Sequence, residues 1–174
     1  MPLAIVAGLA LALTPMTEDW RSALHAEVPL LGHRNWIVVA DSAYPAQTSS
    51  GIRTIVTHAS QTEVLNAVLA ELKNAKHVAP GILLDKELNF VSESDAPGVT
   101  AYRNSLAKSL KGWSVQRELH EDIIKDLDAA GKTFQVLILK TDFTVPYTSV
   151  FLRLDCAYWG AEKEAKLRKK MAGG

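Results

Sequence analysis

The chain has 174 residues, 48% of them apolar and 22% charged, which suits one globular domain with a real core and excludes a disordered chain. Lys plus Arg and Asp plus Glu number 19 each, so there is no net charge, nothing that points to nucleic acid, and no long-range repulsion to oppose self-association. The single cysteine, Cys156, excludes an intrachain disulfide and a cysteine-based metal cluster.

Leu3 to Leu13 is an apolar run too short to span a bilayer but of the length of a signal-peptide core. Ala10-Leu11-Ala12 supplies an A-x-A triplet, although no Lys or Arg precedes the run. Residues 1–16 are therefore expected to be an export signal or a leader outside the fold. A first buried helix or a fortuitous upstream start are the alternatives. Export would put the protein in the periplasm or outside the cell; otherwise it is cytoplasmic. Residues 17–160 then form the folded domain and 161–174 a charged helical tail, whose basic cluster is read as a solvated face.

Thr17, followed by Glu18 and Asp19, is expected to open a helix reaching about Val28, since acidic residues favour a helix N-terminus. Trp36–Ala40 and Ile52–Thr57 are β-branched and apolar and predict strands. Ser60 and Glu63 have capping-box spacing, and Val64, Leu65, Val68, Leu69 and Leu72 behind them keep helical period. Gly81–Leu84 predicts a strand. Asp95 before Ala96 and Pro97 starts a helix that closes at Gly112. A short strand begins at Val115, and a helix over Glu121–Ala130 stops at Gly131. Phe134–Leu139 is the most apolar strand and is expected to be central; a turn around Pro146 leads to the last strand, Val150–Leu154. The alternation predicts a single α/β domain, a mixed sheet of about six strands flanked by helices.

The chemistry concentrates in LGHRNWIVVADSAYP, residues 31–45. His33 stands at the mouth of an apolar strand that runs into Asp41, at the edge where open α/β sheets hold ligands. A histidine with a carboxylate is the minimum equipment for moving protons near neutral pH. On residue types alone, a turn histidine and a turn-capping aspartate explain the same spacing. His25, His58 and His77 lie in or beside helices and have ready structural roles, whereas His120 adjoins a helix start. His120-Glu121-Asp122 cannot converge on one ion, because consecutive helical residues diverge by about 100°. No metal site or cofactor is expected: the chain has no H-E-x-x-H, P-loop, G-x-G-x-x-G or G-x-S-x-G. In Pro146-Tyr147-Thr148-Ser149, Tyr147 and Ser149 would point the same way on an extended chain, a phenol and a hydroxyl suited to a polyol; packing at a strand entry explains Tyr147 equally well.

These segments resemble the ribose pyranase and fucose mutarotase (RbsD/FucU) family over roughly residues 20–155. LGHRNWIVVAD is similar to the family's L-G-H, strand, Asp segment; Pro45 and Tyr102-Arg103-Asn104 are similar to the fucose branch, His120-Glu121 to the ribose branch. Pro146-Tyr147 matches the Tyr-x-Asn element, with Ser149 where the family has the asparagine. The resemblance implies an RbsD-like fold, a ring-shaped homo-oligomer (pentamers stacking into decamers) with sites between subunits, and cofactor-free interconversion of unphosphorylated monosaccharide anomers. It implies His33 as the proton-transfer residue with Asp41, and His120, Tyr147 and Ser149 at the sugar. Membrane spans and nucleic acid have no part in it. The alternatives are a monosaccharide-binding protein without catalysis and an interaction protein on the same scaffold.

His33 and Asp41 are eight residues apart. At opposite ends of one strand they are too distant for a single sugar, unless loops curl back or two subunits contribute.

Overall fold

The computed structural model describes residues 19–173. Thr17 and the leader expected over residues 1–16 lie outside them. Asp19 takes the N-cap role at the first helix: its carboxylate accepts from the N–H groups of Arg21 and Ser22, and α1 (Trp20–Glu27) follows. Strands β1 (Trp36–Ala40) and β2 (Ile52–Val56) form where the β-branched runs predicted them. Ser60 caps α2 (Gln61–Asn74) by accepting from Glu63 N–H, while the Glu63 carboxylate turns outward to pair with Arg21.

Strand β3 (Val78–Asp85) extends the predicted segment at both ends. Helix α3 (Val99–Ser109) starts later than Asp95-Ala96-Pro97 suggested. Gly98 turns the chain at φ 94°, and the Glu93 carboxylate accepts from the N–H groups of Gly98 and Thr100. Those bonds hold Glu93 down at about 2. Then come β4 (Val115–Glu118), α4 (His120–Gly131), β5 (Val136–Lys140), β6 (Val150–Cys156) and α5 (Ala161–Ala172).

The six strands make one mixed sheet in the order β2-β5-β1-β6-β3-β4. Only β6 runs antiparallel to its neighbours, β1 and β3. The apolar strand expected at the centre is β5, interior but second from the edge; β1 and β6 hold the middle. Alternation along β1 sends Ile37 and Val39 into a core with Leu24, Leu65 and Leu106 of α1, α2 and α3. Trp36, Val38 and Ala40 face the other side, where Ile123 and Leu127 of α4 cover them. Helix α5 buries none of its side chains, and its Glu162–Lys166 and Glu164–Arg168 pairs fit the solvated face expected of it. No helix among the described residues is long and apolar enough to cross a membrane.

Candidate active site at one edge of the sheet

Because β6 is inserted between β1 and β3, one edge of the sheet collects the ends of two strands and the start of a third. Val150 pairs with Val39 on one side and Leu84 on the other. Asp85 stands one residue beyond this row and Asp41 two, with Ser149 between their strands. Asp85 is also level with Glu118 of parallel β4, and His120 follows two residues later as the first residue of α4. Topology thus brings Asp41, Asp85, His120 and Ser149 to the same edge.

Each is then fixed by named bonds. The Ser149 hydroxyl donates to Asp41 Oδ2 at 2.9 Å and accepts from Asp41 N–H at 3.3 Å. Asp41 Oδ1 accepts from Ala43 N–H at 2.9 Å, which bends the chain after β1 into the loop of Tyr44 and Pro45. Lys140 donates to the Tyr44 carbonyl at 2.7 Å and ties that loop to β5. Behind the edge, the buried Gln61 amide donates to the carbonyls of Val39 and Thr148 and accepts from the Thr141 hydroxyl at 2.6 Å. Tyr102 adds a bond from its phenol to Thr148 O at 2.6 Å. The turn entering β6 is therefore held from two helices.

His120 is pinned twice, by the last residue of β3 and by the turn that follows it. Its N–H donates to both oxygens of the Glu87 carboxylate, at 3.1 and 3.2 Å, which supplies the cap that Leu119 cannot. Its ring Nδ1 lies 3.1 Å from Asp85 Oδ1. The imidazole remains 32% exposed while the Asp85 side chain is 0% exposed. Burial pushes the Asp85 carboxyl up to about 6, against the pull of His120, with Glu87 and Asp41 adding to the rise. Among the described residues, Asp85 Oδ2, Tyr44 Oη and Gln47 Oε1 are buried with no protein hydrogen-bond partner. Burial, and then the charges of Asp128, Asp85 and Asp41, push the Tyr44 phenol upward.

Tyr147 has φ 57°, so the chain is not extended there and the alternation that would align it with Ser149 does not apply. The phenol stands out beside His120, ring centroids 5.7 Å apart and edge to face, while Ser149 is buried beneath Asp41. Between Asp41, Tyr44, Gln47, His120 and Tyr147 is a cleft of about 290 Å³. Its polar side chains are carboxylate, imidazole, phenol and amide, groups that hold hydroxyls and exchange protons, beside apolar Pro45, Ile124 and Pro146. Among the described residues no cluster of three or more His, Cys, Asp or Glu is arranged to hold a metal ion.

No family model and no curated protein matches the chain by sequence. Solved structures do match by shape. The structure of Bacillus subtilis RbsD complexed with D-ribose superposes with a TM-score of 0.53 at 14% identity, over 87% of this chain and 98% of that one. FucU from Bifidobacterium longum gives 0.53 at 14% identity, over 76% and 92%. The fold is RbsD-like.

Within this RbsD-like sheet the sequence-predicted residues separate into two groups. Asp41, His120, Tyr147 and Ser149 meet at one edge. His33 lies at the other, before β1, with Nδ1 2.7 Å from Asp155 Oδ1 and both side chains largely exposed. Between the edges run the five residues of β1, about 13 Å of strand. A cavity of about 480 Å³ adjoins His33, Arg34, Arg153 and Asp155 there. Asp85, Glu87 and Tyr44 escaped the sequence reading. Asp85 carried a legible signal, since GILLD ends an apolar strand in a carboxylate just as WIVVAD does.

His25, His58 and His77 face Glu71, Asp142 and the carbonyls of Val28 and Leu31 respectively, away from the cleft.

Proposed function

We propose that the chain is a monosaccharide mutarotase or pyranase that interconverts anomeric or ring forms of an unphosphorylated sugar. The observation that carries this reading is the cleft at the edge of an RbsD-like sheet where Asp41, His120 and Tyr147 converge, a hydroxyl-binding and proton-exchanging set. The RbsD neighbour complexed with D-ribose supports a sugar as the ligand.

Opening the hemiacetal requires a base to take the proton of the anomeric hydroxyl. C1 then becomes a carbonyl, the C1–O5 bond breaks, and an acid delivers a proton to O5. Closing on the other face of C1 reverses these transfers, so protons balance and no redox partner is needed. General acid and base help is worth about 10² to 10⁴ in rate. In this reading Asp41, oriented by Ser149, works with His33, which reaches the cleft from the opposite edge of a second copy in a ring-shaped homo-oligomer. Head-to-tail contact of opposite edges is the kind that closes into rings.

The test is NMR exchange between the anomers of ribose, fucose, galactose and glucose. Wild type should accelerate at least one of them, and His33→Ala and Asp41→Ala should each lose most of that acceleration. A panel in which no sugar exchanges faster than in buffer would overturn the enzyme reading. One observation favours sugar binding without catalysis as a second reading: the cleft of a single subunit holds one imidazole, His120. Calorimetric binding with no faster exchange would select it.

A further inference from the structure

We propose that Asp85 is a positioning residue that makes His120 an acid–base group of the cleft, by holding the ring at Nδ1 and leaving Nε2 to face the ligand. This rests on reading the cleft as a proton-transfer site.

Three observations converge. First, Asp85 is a carboxylate with no exposure to solvent, and among the described residues the imidazole, 3.1 Å away, is the only group bonded to it; none of them donates to Oδ2. A buried carboxylate supported by one ring is costly to keep, and an apolar residue there would serve the core better. Second, the imidazole is anchored at both levels, its backbone by Glu87 and its ring by Asp85. Both anchors come from the last residue of β3 and the turn just after it, so the ring cannot turn without breaking the contact. Third, the ring stands 5.7 Å from that of Tyr147, edge to face, and lines the cleft with Asp41. A histidine held this way by a buried carboxylate carries its neutral-state proton on Nδ1 and presents an unprotonated Nε2.

The consequence completes the chemistry. Hemiacetal opening needs two proton-transfer groups. Nε2 of His120 can take the anomeric hydroxyl proton while the second group protonates O5, and return it when the ring closes. One of the two then resides wholly within one subunit. The other is supplied by His33 of a second copy working with Asp41, as proposed above.

The experiment uses the full chain with ¹⁵N-labelled histidine. In wild type above pH 7, the neutral His120 ring should show the Nδ1–H tautomer. In Asp85→Asn, whose amide can donate as well as accept, the ring should shift toward Nε2–H, with kcat for anomer exchange falling about 10²-fold and KM changing little. The double variant Asp85→Asn with His120→Ala should be no slower than His120→Ala alone, because a residue acting through the ring has nothing left to act on.

An Nε2–H tautomer in wild type would overturn the proposal, whether or not Asp85→Asn folds. So would an Asp85→Asn variant with unchanged tautomer and rate. If wild type accelerates no sugar, the mutarotase reading fails by itself, while the tautomer still decides the role of Asp85.

Discussion

At the scale of single residues, the Asp85–His120 contact ties the stability of the fold to pH. Its carboxyl is raised from the ordinary 3.8 to about 6 by burial, so between those values the folded chain keeps a proton that the unfolded chain has released. The sign follows: this group favours the fold below about pH 4, and the advantage disappears as pH rises through about 6. The stability of wild type relative to Asp85→Asn should therefore decline from pH 4 to pH 7, by at most about 3 kcal/mol. Urea unfolding of both proteins at several pH values measures it; a difference that stays flat or rises would contradict the burial of an ionisable carboxyl. Ser149 makes a smaller demand. Its hydroxyl is committed to Asp41, so Ser149→Ala frees the carboxylate to rotate and should slow catalysis while costing about 1 kcal/mol of stability. Catalytic rates and unfolding midpoints of the one variant separate those effects.

At the scale of elements, the site exists because helices and turns clamp the strand ends. Gln61 opens α2 and bonds the end of β1, the residue after β5 and the turn into β6. Gln61→Leu would leave buried carbonyls of Val39 and Thr148 without that donor and should lower stability by about 2 kcal/mol or more, visible as a lower urea midpoint. Gly51, at the entry to β2, has no room at all. A Cβ there would sit 2.4 Å from Gly131 O and 2.5 Å from Phe134 O, both backbone atoms. Gly51→Ala should cost about 1–3 kcal/mol by forcing β2 away from the end of α4. Much at this scale was legible in the chain: the strand ends at Ala40 and Val150, the Ser60 cap and the stop at Gly131 follow from propensity and spacing. The site was legible in part. Asp41 was marked by the strand it ends, and Asp85 bore the same mark, eight residues after His77 as Asp41 is after His33, but His77 beside a helix had a ready structural role and drew no notice to it. The expected alignment of Tyr147 with Ser149 failed because the left-handed backbone at Tyr147 has no signature in a Pro-Tyr-Thr-Ser string. Gln61 looked like the first polar residue of a helix; only the folded sheet turns it inward.

At the scale of the whole molecule, the two edges of the sheet carry complementary halves of one proposed machine. His33 and Asp41 sit at opposite ends of β1, a separation that follows from a five-residue strand however the loops are drawn. A shared site then demands a neighbour, and light scattering should report a mass several times 19.0 kDa at micromolar concentration. A monomer would remove His33 from the chemistry and leave His120 as the imidazole at Asp41. The most direct measurement is complementation: His33→Ala and Asp41→Ala chains are prepared separately and co-assembled, and anomer exchange is followed by NMR. Each variant alone should be nearly inactive, and the mixture should recover about a quarter of the wild-type rate, the share of sites that draw an intact half from each neighbour. A mixture of co-assembled chains no faster than its parents would contradict a mutarotase site built across two subunits.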